Sequence, residues 1–222
     1  MTTSIWQRPS SLRVDVAVVG GGIIGTSTAW ALRQLAPDLR VALVDAEHLA
    51  HGASGRNAGF LLLGTSSNYA SAVDTCGRDR ARRIWAFTHE AYALVQEVAE
   101  RHDIGFRLTG SLIAAGSAGE ADRLRQSHAL LAEDGIDSVL HDPDETTSRF
   151  GVHGFPTSLF VPTGGVVDPA RLVRALASES DAQVIERTRI ARVELDGTSV
   201  RLSASSGSSV VADRVLLALN AG

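Results

Sequence analysis

Three glycines and one acid carry the clearest chemistry in this sequence. Gly20, Gly22 and Gly25 form a G-x-G-x-x-G run directly after the apolar stretch 14–19. Asp45 stands twenty positions beyond Gly25, closing a second apolar stretch, 41–44. These residue types at this spacing suit a dinucleotide. Gly20 permits a tight turn, Gly22 lacks a Cβ and so lets the backbone approach a pyrophosphate, and Gly25 lets a following helix pack close to the strand. The start of that helix offers free N–H groups and the positive end of its dipole to phosphate oxygens. A carboxylate at position 45 can accept hydrogen bonds from both hydroxyls of an adenosine ribose.

For these residues to act together, the chain must run strand, glycine turn, helix, strand. The spacing predicts strands over 14–19 and 41–44 with a helix over 23–35 that Pro37 stops. Residues 46–68 read as a loop rich in Gly, Ser and Asn, with Phe60, Leu61, Leu62 and Leu63 expected in the core. Over 82–101, Ile84, Phe87, Ala91, Val95 and Val98 recur at helical spacing and are expected to face inward. A strand is predicted over 106–115, bent at Gly110, and Ser117 with Glu120 reads as a capping box opening a helix that runs to 133 before Gly135. Residues 142–145 start a short helical turn, and 159–161 form a strand. Asp168 and Pro169 open a helix that turns Leu172, Val173 and Leu176 inward. Strands then follow at 183–187, 190–195, 199–204 and 214–219. The last of these is expected to be a buried central strand. The sequence stops directly after it, so a truncated or split polypeptide is expected.

Composition narrows the function classes. With 222 residues, 44% of them hydrophobic, the chain can bury a substantial core, and a net charge of −4 nominates neither nucleic acid nor an anionic membrane. No apolar run approaches the ~20 residues of a membrane-spanning helix. Residues 1–13 are polar and lack the apolar core of a secretory signal. The single cysteine, Cys76, rules out a disulfide within the chain and fits a reducing, cytoplasmic compartment. All 21 basic residues are arginine, so no lysine here can form a Schiff base or act as a general base. His48 and His51 lack a carboxylate or cysteine companion at metal-ligand spacing, so no metal site is expected. Arg78, Arg80, Arg82 and Arg83, interrupted by Asp79, read as a solvated helix start and not a nucleic-acid surface.

Residues 45–62, D-A-E-H-L-A-H-G-A-S-G-R-N-A-G-F-L-L, resemble the FAD-dependent amine and amino-acid oxidoreductases of the D-amino-acid oxidase family. Further likeness lies at 110–112, at G-V-V-D-P-A-R-L over 165–172, and at A-D-R-V-L-L-A-L-N-A-G over 212–222. The resemblance implies an α/β fold. A Rossmann-like FAD-binding domain, βαβ with a mixed sheet, would be interleaved with part of a mixed-sheet substrate domain, its C-terminal part missing. The segments would be 1–80 and 151–222 for FAD and 81–150 for substrate. Family members continue well past Gly222, into the arginine that often grips a substrate carboxylate and a last glycine-rich FAD contact.

By the same resemblance, Gly20, Gly22, Ile23, Ile24 and Gly25 would cradle the pyrophosphate, and Asp45 with Ala46 would meet the ribose. Ala53, Ser54, Arg56, Asn57, Ala58 and Gly59 would run beside the pyrophosphate and the flavin edge, with Arg56 offsetting negative charge. The backbone at Ile190 would meet adenine, and Ala221 and Gly222 would approach the cofactor. Some relatives tether FAD through a histidine in this loop or a later cysteine. Asn57 is not such a histidine and Cys76 is not so placed, so noncovalent FAD is expected. The implied reaction oxidises the C–N bond of a small-molecule amine or amino acid by hydride transfer to flavin N5, with the imine then hydrolysed. Electrons would pass to oxygen or another acceptor. No catalytic side chain is assigned within these residues. Two alternatives stand beside this reading: an NAD-dependent dehydrogenase, which the 52–59 loop argues against, and an incomplete FAD-binding fragment or half of a split enzyme completed by a second chain.

Overall fold

The computed structural model describes residues 11–220. The chain divides into two compact units, with breaks at Ala58/Gly59 and Val167/Asp168. These breaks fall at positions other than 80 and 150. The first unit begins with β1 (Ser11–Val19), α1 (Ile23–Leu35), β2 (Val41–Val44) and a 3₁₀ turn at Ala53–Gly55. The second unit supplies β3 (Phe60–Leu61), α2 (Tyr69–Cys76), α3 (Arg78–Arg101), β4 (Arg107–Leu108), β5 (Ser111–Ala114) and α4 (Ala118–Glu133). It continues with β6 (Val139–His141), α5 (Pro143–Phe150), β7 (Ser158–Val161) and β8 (Gly165–Val166). The chain returns to the first unit with α6 (Pro169–Glu179), β9 (Gln183–Ile185), β10 (Ile190–Asp196), β11 (Ser199–Ala204) and β12 (Ser209–Leu217).

Among the described residues, the first unit is built on a six-stranded mixed sheet, ordered β10-β11-β12-β1-β2-β9. β1 pairs in parallel with both β2 and β12, and β2 pairs in parallel with β9. Strands paired on both sides and covered on both faces read as continuous apolar runs, which is why Val41–Val44 is buried at every position. Val18, Val41 and Leu43 pack against Ala29 of α1 and Ala177 of α6. The two helices are also joined by Trp30 Nε1, which donates to Glu179 at 2.8 Å. Asp168 caps α6 by accepting from the N–H groups of Ala170 and Arg171, both at 3.0 Å, and Leu172, Val173 and Leu176 point inward as expected.

β12 departs from expectation. It begins at Ser209, not near 214, and its C-terminal half is open: Leu216 is 38% exposed and Leu217 is 58% exposed. The pairing explains this, because β11 accompanies β12 only as far as Ala212, after which β1 is its sole partner in the sheet.

The second unit holds two three-stranded sheets among its described residues, β3-β8-β4 and β5-β7-β6. The strand expected over 106–115 is divided between them at Gly110. Its helices pack Tyr69, Ala72, Ala81, Trp85, Leu124 and Leu131 into one core, where the Tyr69 and Trp85 rings meet edge-on at 4.7 Å. The α3 face is rotated from the one predicted. Ala81, Trp85, Tyr92 and Val98 are buried, whereas Phe87 is 70% exposed and Ala91 is exposed. Of the three large aromatic side chains of α3, Trp85 and Tyr92 lie seven positions apart and claim the inner face. Phe60 and Leu62 are likewise exposed, whereas Leu63 packs against the core. Glu120 turns to the Gly116 N–H instead of the Ser117 N–H, while a reciprocal capping box forms at Asp142 and Glu145 of α5.

Asp134, just beyond α4, ties this unit together. Its carboxylate is 4% exposed, accepts from the Tyr69 hydroxyl at 2.5 Å and from Arg78 at 3.0 Å, and lies 3.5 Å from Arg82. Burial pushes the carboxyl up, but Arg78 and Tyr69 outweigh it and hold it below the ordinary aspartate range. Burial and the Asp134 bond push the Tyr69 hydroxyl upward. Because the folded carboxyl is the stronger acid, its stabilisation is fully present above pH ~4 and is lost as pH falls through the folded value. Asp134→Ala is expected to lower stability by ~2 kcal/mol in denaturant unfolding at pH 7. The gap from wild type should close as the pH falls below ~4. Equal stability at pH 7 would contradict this role.

Candidate functional site

Four strands of the first unit end in register. Val19 lies opposite both Val44 and Leu217, and Val44 lies opposite Ile185. The residues that follow these ends are Gly20, Asp45, Glu186 and Ala218. In open α/β sheets the carboxyl edge of the strands is where ligands bind.

Gly20 takes φ +117°, and a Cβ there would lie 2.4 Å from the Ala218 carbonyl oxygen. Only glycine combines that backbone angle with so close a neighbour. The Gly20 N–H donates to Val44 O and the Ala218 N–H donates to Val19 O, both at 2.8 Å, which closes the junction. A Cβ at Gly25 would sit 1.8 Å from Gly20 O, so α1 packs directly onto the turn. Gly22 is the N-cap of α1 and has no side chain to cap with; the Ser54 hydroxyl does so, accepting from Ile23 N–H at 2.8 Å. A Cβ on Gly22 would come within 2.8 Å of that hydroxyl. The N–H groups of Ile24 and Gly25 lie in the first helical turn, where no acceptor within the helix is available.

Asp45 does more than wait for a sugar. One carboxylate oxygen accepts from Gly21 N–H at 2.6 Å and the other from Glu47 N–H at 2.7 Å. Its own N–H donates to Ile185 O at 2.9 Å, and its carbonyl accepts from Thr188 N–H at 2.8 Å. Each carboxylate oxygen retains a further acceptor position, so two ribose hydroxyls can still be bound.

These groups open onto a cavity of about 450 Å³, lined by Gly20, Gly21, Gly22, Ile23, Ile24 and Asp45, by 51–54, and by 217–220. Of the predicted residues, it therefore gathers Gly20, Gly22, Ile23, Ile24, Asp45, Ala53 and Ser54. Gly25 lies just behind it, under the turn. Ala46 is half-buried and outside the lining. Arg56, Asn57 and Ala58 are exposed and also outside it. The Asn57 amide donates to Ala53 O and Ser54 O at 3.2 and 3.0 Å, which holds the turn that carries Ser54. An Arg56 nitrogen lies 3.3 Å from His51 Nε2. Gly59 falls in the second unit, where its carbonyl accepts from Val167 N–H. Ile190 opens β10 and lines a different cavity, of about 320 Å³, with Ile185, Thr188 and Leu202. Ala221 and Gly222 lie outside the described residues.

His51, Leu217 and Leu219 are lining residues that sequence reasoning missed as site residues. The signal for His51 was its place one residue before the G-A-S-G run. Nothing local marked the leucines, which reach the cavity only through the pairing of β12 with β1. His48 does not join His51; its Nδ1 lies 3.2 Å from Glu186. Among the described residues no group of three or more His, Cys, Asp or Glu side chains is placed to hold a metal, and no helix is long and apolar enough to cross a membrane.

The sequence matches the family described as FAD dependent oxidoreductase (DAO) over residues 15–222. The probable oxidoreductase OrdL of Rhizobium meliloti (strain 1021) is 30% identical over 218 residues, covering 96% of this chain and 50% of that protein. L-2-hydroxyglutarate dehydrogenase of Escherichia coli (strain K12) is 30% identical over 168 residues, covering 73% and 36%. Gamma-glutamylputrescine oxidoreductase of the same strain is 26% identical over 217 residues, covering 95% and 50%. Among solved structures, glycine oxidase from Geobacillus kaustophilus shares the mixed α/β fold with a TM-score of 0.78 at 24% identity, covering 93% of this chain and 55% of that one. The chain thus spans about half the length, or less, of the curated relatives it matches. On this match, which runs through the glycine turn, Asp45 and the Ser54 loop, the chain belongs to the family of FAD-dependent oxidoreductases.

Proposed function

We propose that the first unit binds FAD noncovalently in the cavity at the glycine turn, and that the protein carrying this chain oxidises the C–N bond of an amine or amino acid. The cradle supports the first part. A Cβ on Gly22 would strike the Ser54 hydroxyl, so the backbone there stays bare for a pyrophosphate, with Asp45 one strand away for the ribose. The Ile24 and Gly25 N–H groups would bind phosphate oxygens, helped by the α1 dipole. Ile24, Leu217 and Leu219, all more than half exposed here, would cover apolar parts of the cofactor and keep water away. Arg56, whose guanidinium lies 3.3 Å from His51 Nε2, would offset negative charge. Adenine would lie toward Ile190, whose cavity adjoins Thr188 and so the Asp45 carbonyl. Noncovalent binding is supported by Asn57, which has no nucleophilic nitrogen, and by Cys76, whose thiol donates to Ala72 O in the second unit.

FAD, when bound, supplies acceptance of two electrons and a hydrogen at N5 from the carbon beside nitrogen, and this chain's residues hold and shield it for that purpose. The second unit is read as the beginning of the substrate domain. An amine or amino acid is supported as substrate by the putrescine-derived substrate in the name of one relative. A second reading, oxidation of a 2-hydroxy acid, is favoured by the hydroxyglutarate dehydrogenase match, which is closer in identity over a shorter span. One cysteine in the chain is consistent with a reducing, cytoplasmic setting.

The purified protein is expected to absorb near ~450 nm and to release free flavin on unfolding. Anaerobic addition of amines and amino acids should bleach that band; bleaching by 2-hydroxy acids alone would favour the second reading. Gly22→Val should cost at least about tenfold in FAD affinity by steric displacement of Ser54, measured by flavin fluorescence titration. Ser54→Ala should lower stability by ~1 kcal/mol through loss of the α1 cap, seen in denaturant unfolding. Full flavin occupancy in the Gly22 variant would place the cofactor elsewhere.

A further inference from the structure

Glu186 is the one polar residue of the aligned strand-end row, besides Asp45, whose side chain reaches the loop beneath the glycine turn. It follows β9 directly, as Asp45 follows β2. Its carboxylate spans two adjacent residues of the 45–50 loop: Oε1 accepts from Leu49 N–H at 2.8 Å, and Oε2 lies 3.2 Å from His48 Nδ1. The other ring nitrogen of His48 faces the Arg187 guanidinium at 3.2 and 3.3 Å. Since a guanidinium can only donate, that nitrogen accepts, and the proton of a neutral His48 sits on Nδ1, aimed at Glu186. Backbone bonds run beside this clamp, from Arg187 N–H to Glu47 O at 2.7 Å and from Thr188 N–H to Asp45 O at 2.8 Å.

The far side of the same loop holds the glycine turn. Gly21 donates to Asp45 and accepts from Ala50 N–H at 3.0 Å, so both of its backbone groups are committed to residues 45–50. The Leu49 side chain lies beneath it, where a Cβ on Gly21 would meet Leu49 Cδ2 at 2.6 Å. Ala50 and Arg187, one in each of the joined connections, both take positive φ, 63° and 51°. Such backbone persists in non-glycine residues only when surrounding bonds over-determine it. The Leu49 N–H and His48, against a smaller cost of burial, hold the Glu186 carboxyl below the ordinary glutamate range.

We propose that Glu186 is a positioning residue for the dinucleotide: by clamping His48 and Leu49 it fixes the 45–50 loop, which in turn presents Asp45 and holds Gly21 in the cradle conformation. This rests on the FAD reading given above. The test uses the protein carrying the full chain, freed of flavin. FAD affinity is measured by fluorescence titration, and amide exchange at 20–25 and 47–51 is followed without FAD. Glu186→Ala should weaken FAD binding about tenfold and speed exchange at Gly21, Leu49 and Ala50. Glu186→Gln, which keeps an acceptor for Leu49 N–H but sets an amide N–H against His48 Nδ1–H, should fall between wild type and Glu186→Ala. His48→Ala should fall between the two. Asp134→Ala, in the second unit, should lose stability with FAD affinity unchanged, which separates positioning from general destabilisation. The proposal is overturned if E186A, or H48A should E186A not fold, binds FAD as tightly as wild type with unchanged exchange at Gly21. A wild-type protein that binds no FAD would overturn the FAD reading, while the exchange comparison would still decide the clamp.

Discussion

The parallel register about β1 is the constraint on which the rest of this chain depends. Val19, Val44, Ile185 and Leu217 lie in one row, so the chain leaves the sheet at four neighbouring points along a single edge. Residues separated by up to about two hundred positions in sequence are thereby brought within hydrogen-bonding range. A slip of one residue would turn the apolar set of a strand to the opposite face of the sheet. It would also part Gly20 from Ala218 and Asp45 from Gly21. Burial on both faces, with Val18, Leu43 and Val44 fully inaccessible, makes such a slip costly. The hydrophobic core therefore sets the geometry of the polar site, which it meets through Ala218 and Leu49.

At that edge the chain uses backbone groups where a side chain would intrude. Gly20 admits the end of β12, Gly25 admits the turn itself, and Gly22 admits Ser54. The cap for α1 comes from a residue thirty-two positions beyond Gly22, so the 3₁₀ turn at Ala53–Gly55 and the helix start are organised together. Asn57 supports that turn from below through Ala53 O and Ser54 O. A turn whose backbone is already fixed by Asp45, Ser54 and Ala50 needs little rearrangement when a ligand arrives, and such preorganisation lowers the cost of binding. The positive φ values at Ala50 and Arg187 fit this picture, since both sit where two loops are tied to one another.

Much of the cofactor half was legible because its signals are local. Strand, glycine turn, helix and acid follow one another over some thirty residues, and α1 begins and ends where the spacing of glycine, apolar positions and Pro37 predicts. The α6 cap at Asp168–Pro169 was equally local. What stayed hidden depends on distant partners. Helical periodicity in 82–101 offered two apolar stripes, and only packing against Tyr69 decided that Trp85 and not Phe87 points inward. Helix α2 was not among the predicted elements; its cap, Asn68, lies within a polar run that resembles a turn. The placement of Glu186 beside the 45–50 loop arises from the alignment of β9 with β2, which leaves no mark in spacing. Asn57 was placed in the site by resemblance, and its side chain turns out to serve the loop that carries Ser54.

The central claim is that the Gly20–Gly25 turn, with Asp45 and Ser54, is a cradle for FAD. The most direct measurement is a titration of flavin-free, isotope-labelled protein with FAD and, separately, with NAD, following the amide signals of Gly21, Gly22, Ile24 and Gly25. The account predicts that FAD binds stoichiometrically and shifts these amides while NAD leaves them in place. Tight FAD binding that bypassed these four amides, or a response to NAD in preference to FAD, would contradict it.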